Sequence, residues 1–562
     1  MVNLEGQDLR AKENLLKDLD LRKANLKRAN LEGIDLSDRD LSNVNFTGAT
    51  LTNIDLSNCN LSNAILGRVD LTGANLQGAN LTNAQINNSI LIEADLSGAN
   101  LKDAELRGSD LRNSILNRAD LEDTVLRIAN LRGAELKYAN LKNAEINSAY
   151  LTEANLQNAN LEGARLVRVQ LRAADLSDAN LSNADLSNAN LNRAKLIGAV
   201  LNNAVLAKTI LTGTNFSKAK LTQVDLRRAN LAFADFSGGN LEEANFGSSD
   251  LTGANFTQAN LTRADFNGAK MVTAKLNGAI LNNASVLRVN LRDADLSGCQ
   301  LQNSKLNRAY MSGTLLKNAD LTNSDLSGAN FLGANLEGTN FTNAQLIRAY
   351  LSHANLDNTD LSEADLSGAD VTRASLSTSK VTGTKFTQNI GMTQDIELQL
   401  RKNGAFFFKP YTTIQKLEAE QSTQKDYFTI IRRVDEIKAD LKYRHQDLEE
   451  AWSIFEDTVN TFQLFRVQNP DSMNLKDNQN NKIEQLLLTM ENDLIQSLDA
   501  IEKNKKSLDD IVNKSSNEDV LEWVEQDLLD ELDSIHEAIM DLNRHTGLIY
   551  TLWKSLGEKE TT

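Results

Sequence analysis

Residues that could do chemistry are few in this chain, and their spacing does not assemble them. The four histidines, His353, His445, His536 and His545, show no HExxH spacing and no neighbouring set of metal ligands. Cys59 and Cys299 have no histidine placed to activate a thiolate, no G-x-S-x-G turn is present, and no glycine-rich loop joins a strand to a helix to cradle phosphate. Carboxylates are abundant, and along the repeat they recur one residue before the leucine as part of its pattern. Pairs of them are therefore unavoidable and carry no catalytic information. The threonines fill no continuous array. The expectation is a protein that is not an enzyme and uses no cofactor and no metal.

What positions these residues is a period of five. From Leu16 to Phe386 every fifth residue is Leu, Ile, Val, Met or Phe, which makes (386 − 16)/5 + 1 = 75 positions without an insertion. Two places before each the residue is almost always small, Ala at 48 of the 74 positions from 19 to 384. Five residues advance a helix by 140°, which scatters the leucines, and in one long strand they would alternate faces. The pattern is satisfied if the chain turns every five residues. In Ala74-Asn75-Leu76-Gln77-Gly78, residues 74 and 76 point in, 75 points out, and 77–78 form a corner. Phe216, Phe236 and Phe256 recur at 20, as do Phe246 and Phe266. A coil of 20 residues, four units, stacks each set into a column, and the two columns face each other across the core.

Units such as Ala179-Asn180-Leu181-Ser182-Asn183 and Ala184-Asp185-Leu186-Ser187-Asn188 resemble the A(D/N)LXX signature of the pentapeptide-repeat family. The resemblance covers about two thirds of the chain. It implies an all-β solenoid, a right-handed quadrilateral β-helix of about 19 coils and about 90 Å at strand spacing, and with it a bacterial, cytoplasmic protein. Some members of the family imitate DNA and protect DNA gyrase. Cys59 and Cys299 then occupy one column 12 coils apart, since 240/20 = 12, or roughly 58 Å at strand spacing, beyond disulfide reach. Arg39 departs from the pattern as the charged residue at a small inward position, where a local distortion is expected.

The remaining segments follow in order. Residues 1–15, with Leu4 and Leu9 out of register, are expected to cap the first coil of a repeat domain at 16–388. Over 389–411 a capping helix and linker are expected: a helix from Thr393 to Lys402 with Ile396, Leu400 and Leu398 inward, Gly404 at its end, then Phe406, Phe407 and Phe408. From 412 to 562 apolar residues recur every three or four positions, as in Ile430, Val434, Ile437 and Leu441. This predicts an α-helical module, a three-helix antiparallel bundle or coiled-coil arm. The N-terminus has no apolar run or small-residue cleavage site, and no run is long enough for a membrane span.

Charge is uneven along the chain. Of the net −17, residues 1–390 hold 39 Lys/Arg against 42 Asp/Glu, and 391–562 hold 20 against 34. Around the coil it is uneven too. The corner that follows Leu26, Phe46 and Leu66 holds Lys27, Arg28, Arg68, Arg107, Arg127, Arg168, Lys208, Arg227, Arg228, Arg288, Arg308 and Arg348, and no acid. With its outward positions this face has 15 basic and 7 acidic residues, whereas the other three total −5, −1 and −5. The leading expectation is a rigid protein-binding scaffold with a basic face for an acidic partner. Its helical arm would serve self-association or docking. Gyrase protection is the alternative, set against a near-neutral rod. Direct nucleic-acid binding ranks below both, because aromatic residues do not interleave with the arginines.

Overall fold

The structure, a computed structural model, describes residues 2–408. The chain divides into two units, Met1–Pro410 and Tyr411–Thr562. The arm expected at 412–562, the end of the linker, and His445, His536 and His545 lie outside the described residues.

Each five-residue unit contributes one ladder rung and one corner. The outward residue bridges in parallel to the residue 20 further on, from Asn25↔Asn45 to Asp370↔Ile390, so the coil is four-sided and its register does not drift. The apolar and small positions are buried along its length. All five amides of a unit find acceptors. Asn25 N–H donates to Val2 O, Leu26 N–H to Asn45 O, and Arg28 N–H to Thr47 O, while Ala24 N–H closes a turn on Leu21 O. The fifth, Lys27 N–H, donates to its own unit's Asn25 Oδ1 at 3.3 Å. The Asp or Asn before each leucine is thus a corner cap, since its short side chain reaches the amide two residues on.

Inside, the phenylalanines form two columns. Phe216, Phe236 and Phe256 stack at 4.9 Å, and Phe246 and Phe266 stack at 4.8 Å. The columns meet edge to face, with Phe246 5.7 Å from Phe256, a favoured aromatic geometry. Polar residues at the small position turn back onto the carbonyl of the apolar residue 23 earlier. Ser89 Oγ donates to Leu66 O at 2.6 Å, Thr124 Oγ1 to Leu101 O at 2.9 Å, and Cys59 Sγ to Leu36 O at 2.9 Å. Cys59 and Cys299 are both free and buried, and burial pushes their thiols up to about 11 and about 12.

The N-terminal end differs from a simple cap. Asn3 and Asp8 already bridge to Asn25 and Asn30, at an offset of 22, and Leu4 and Leu9 are buried in the core. The shift of two is taken up by a short helix, α1 (Glu13–Lys17), which contains the first repeat leucine, Leu16. Arg39 sits beside this insertion. Its Nη2 donates to Leu16 O at 3.2 Å and to Leu19 O at 2.7 Å, carbonyls 23 and 20 residues back. Asn389 repeats the arrangement at the far end, its Nδ2 donating to Leu366 O at 2.6 Å and Ala369 O at 3.1 Å. A long or amide side chain at the inward position satisfies carbonyls at an end of the ladder.

At the C-terminal end, β1 (Lys385–Phe386) precedes helix α2 (Gln394–Lys402), and β2 (Phe406–Phe407) pairs in parallel with β1. Thr393 caps α2 by accepting Ile396 N–H. Gly404, at φ +93°, ends it as glycine must in the left-handed region. Ala405 N–H reaches Leu400 O and Gly404 N–H reaches Arg401 O, the double bond of a Schellman motif. Leu400 is buried and Ile396 partly so, whereas Leu398, expected inward, is exposed because α2 lays a single stripe on the coil. Phe407 stacks on Phe386 at 5.0 Å and so prolongs that column, with Phe406 and Phe408 exposed on either side.

Candidate functional site

The basic corner is built by the repeat's own stereochemistry. Of its two residues, the second adopts left-handed φ, from +53° at Arg28 to +59° at Arg168. The first stays beside its unit's outward side chain. A guanidinium at the first position therefore folds back on that carboxylate: Arg227 Nε and Nη2 donate to Asp225 at 2.9 and 2.7 Å, as do Arg22 to Asp20 and Arg112 to Asp110. This bond holds the Asp225 carboxyl below its usual range. Arg127 pairs with Glu145 at 2.6 Å. A cation at the second position reaches the corner of the preceding coil, as Arg263 does to Glu243 at 2.7 Å and to Glu242 at 2.5 Å on another corner.

On the basic corner that column holds no acid. All of the predicted residues Arg28, Arg68, Arg107, Arg127, Arg168, Lys208, Arg227, Arg228, Arg288, Arg308 and Arg348 are exposed along one edge, and Lys27 is half-buried. Arg127 and Arg227 are paired. Among the described residues the other nine form no ion pair, so their charge remains available to a partner. Small residues punctuate the column. The Arg308 Cγ lies 3.5 Å from where a Gly328 side chain would begin, and the Arg348 Cγ 3.2 Å from that of Gly368, so the stems lie on the glycines of the next coil.

Beyond this corner lies an outward column that sorting by charge passed over. It carries Ile90, Tyr150, Ile210, Tyr310, Tyr350 and Ile390, all of them exposed. Each stands two residues after a position of the cationic column. Arg308-Ala309-Tyr310 and Arg348-Ala349-Tyr350 thus set an arginine and a tyrosine on neighbouring columns, both exposed, with a buried alanine between them in sequence. The expectation that aromatics do not interleave with the arginines is corrected here: at Arg308 and Arg348 a tyrosine stands two residues on, and stacking of the coils sets these pairs along one edge. Where Tyr150 meets Arg168 the surface dips into a shallow depression of about 410 Å³, also lined by Gln170 and Arg172.

His353 occupies an exposed second corner position, at φ +58°. Among the described residues no group of His, Cys, Asp and Glu could hold a metal ion, and no helix is long and apolar enough to cross a membrane.

The profile of the family described as pentapeptide repeats matches residues 40–383. No curated protein matches the chain. Among solved structures it is similar to HetL, a pentapeptide repeat protein involved in heterocyst differentiation regulation from the cyanobacterium Nostoc sp. strain PCC 7120. The identity is 30%, over 44% of this chain and 88% of that one, with a TM-score of 0.19. It is also similar to QnrB1, a plasmid-mediated fluoroquinolone resistance protein, at 20% identity over 38% and 96% of the two chains, TM-score 0.23. A third is a pentapeptide repeat protein of the Arabidopsis thaliana thylakoid lumen, at 28% identity over 21% and 78%, TM-score 0.14.

Proposed function

Because this chain belongs to the pentapeptide repeat family, we propose that it works as a non-catalytic protein-binding scaffold whose repeat surface presents one long basic edge to an acidic partner. The observation that carries this reading is the cationic second-corner column without an acid. Several cations elsewhere on the repeat, such as Lys102, Lys142 and Arg263, pair with neighbouring carboxylates, while those of this column are left exposed. Repeat proteins bind through such extended faces, and complementary charge steers a partner onto them. Residues 391–562, with 20 Lys/Arg against 34 Asp/Glu, are proposed as a second module for self-association or docking.

Affinity capture tests this. The full chain is compared as bait with a variant carrying Arg288→Glu, Arg308→Glu and Arg348→Glu. At least one specific protein partner is expected with the first and lost with the second. Recovery of the same partners by both overturns the role of the edge, and recovery of none by the full chain overturns the scaffold. A gyrase role is tested separately. The near-neutral repeat lacks the acidity needed to imitate DNA, so gyrase supercoiling and its inhibition by fluoroquinolone are expected to be unchanged by the purified protein.

A further inference from the structure

The geometry points to a defined recognition site at Arg308, Tyr310, Leu332, Arg348 and Tyr350 for an acidic amphipathic helix of a partner protein. This rests on the scaffold reading and names its partner's chemistry. The apolar members are exposed: Tyr310 by 38%, Leu332 by 48% and Tyr350 by 56%. They are also segregated. Tyr310 and Tyr350 share the outward column next to the cationic edge, and Leu332 stands at the corner on its other side, in the coil between them. The site is thus an apolar strip with guanidinium groups along one margin.

Three properties select the occupant. Among the described residues Arg308 and Arg348 form no ion pair, so the margin favours an acidic ligand. The strip is aromatic and aliphatic, so the ligand must also offer apolar groups along a line. The spacing must fit the ligand as well. Tyr310 and Tyr350 are two coils apart, roughly 9.7 Å given stacking repeats of 4.8–4.9 Å in the core. Seven residues of α-helix advance about 10.5 Å. A helix lying along the rod axis therefore sets apolar residues seven apart over the two tyrosines, with Leu332 between them, while carboxylates on its flank meet Arg308 and Arg348. Three stacked-base steps, at about 3.4 Å each, would span nearly the same distance, but Leu332 between the tyrosines is aliphatic and offers a base no ring to stack on, whereas it suits an apolar helix face. Tyr and Arg are the residues that most often dominate such interfaces.

The test uses the full chain and a labelled peptide of four Leu-Glu-Asp-Ala-Glu-Gln-Gln heptads, read by fluorescence anisotropy. A scrambled peptide of the same composition and a labelled oligothymidylate serve as alternatives. Saturable binding of the heptad peptide is expected, at least tenfold tighter than the scrambled one. Tyr310→Ala with Tyr350→Ala should weaken it tenfold or more, as should Arg308→Glu with Arg348→Glu. Tyr138→Ala, on a different corner, should leave it unchanged. Unchanged thermal melts show that each variant is folded. Equal binding of both peptides, tighter binding of the oligonucleotide, or indifference to the tyrosine pair overturns the site. If capture still yields partners lost on reversing the basic edge, the scaffold reading survives that failure. If capture yields none, both fall.

Discussion

Ile128 shows at single-residue scale how strictly the corner is constrained. It occupies the second corner position at φ +53°, where a β-branched side chain is disfavoured by about 1–2 kcal/mol. Its side chain is half exposed, so little burial offsets that strain. Ile128→Asn is expected to stabilise the protein by about 1 kcal/mol, because asparagine tolerates the left-handed region. Thermal or urea melts would show it, and an unchanged or lowered midpoint would mean that the isoleucine packs better than its exposure implies. The cysteines make a second residue-scale case. With both thiols buried and their pKa values raised to about 11 and about 12, thiolate is scarce at neutral pH. A maleimide should label Cys59 and Cys299 only on denaturation; rapid labelling of the native protein would contradict the sealed core.

At the scale of the element, the repeat tolerates departures from its signature because a second route to the same hydrogen bond exists. Where the outward residue is Glu, as at 135, its side chain does not cap the corner, and Lys137 N–H instead donates to Asn117 Oδ1 of the preceding coil at 2.8 Å. The same exchange serves Arg107 through Asn87 and Leu287 through Asn267. Asn117→Ala should therefore leave a corner amide without its acceptor, at about 1–3 kcal/mol if water cannot replace it. Glu135→Asp in the same chain should recover most of that loss by restoring the local cap. Failure of the rescue in chemical denaturation would show that the two routes are not equivalent. This level also marks what the sequence made legible. The period of five, the four-sided coil and the facing phenylalanine columns were readable because large, small and aromatic residues differ in type. The basic corner was readable as charge. The tyrosine ridge was not, because Tyr150, Tyr310 and Tyr350 stand at outward positions where the fold accepts any side chain. Arg308-Ala309-Tyr310 and Arg348-Ala349-Tyr350 are neighbours in sequence, but the ridge they belong to exists only once the coils are stacked. Arg39 stood out as an exception, and the step of seven from Leu9 to Leu16 showed a break in the period, but neither disclosed that a helix, α1, fills it.

Carboxylates along the whole repeat couple its stability to pH. Asp8 and Asp20 are held down to about 2, first of all by the guanidinium groups of Arg10 and Arg22. Burial pulls Asp175, Asp295, Asp320 and Asp325 upward, but donors from Ser177, Ser297, Thr322 and Ser327 outweigh it and leave these groups lowered as well. A carboxyl whose folded pKa lies below its unfolded value, about 3.9, stabilises the fold above that pH. The contribution is lost as pH falls through the folded value. The melting temperature is therefore expected to be flat from about pH 7 to 5 and to fall between about pH 4 and 2. A flat profile to the acid limit would show that the corner caps contribute nothing net.

The same one-dimensional build separates folding from surface in the molecule as a whole. Core contacts reach only adjacent coils, and the core residues are nearly interchangeable, so stability depends on the register of five. The surface depends on the register of 20, because a column exists only if every coil returns to the same face. Deleting residues 176–195 removes one coil, joins Asp175 to Leu196 and keeps every column aligned. Deleting 176–180 joins Asp175 to Leu181, keeps the period of five, and moves all later residues to the neighbouring face. Both variants should fold with melting temperatures within a few degrees of the parent. In the longer deletion the cations from Arg28 to Arg348 stay on one edge. In the shorter one Lys208 and everything after it leave the edge formed by Arg28, Arg68, Arg107 and Arg168. Partners that need the long edge should thus be retained by the protein lacking 20 residues and lost by the one lacking five. Loss with both deletions, or with neither, would show that recognition does not read the continuous column.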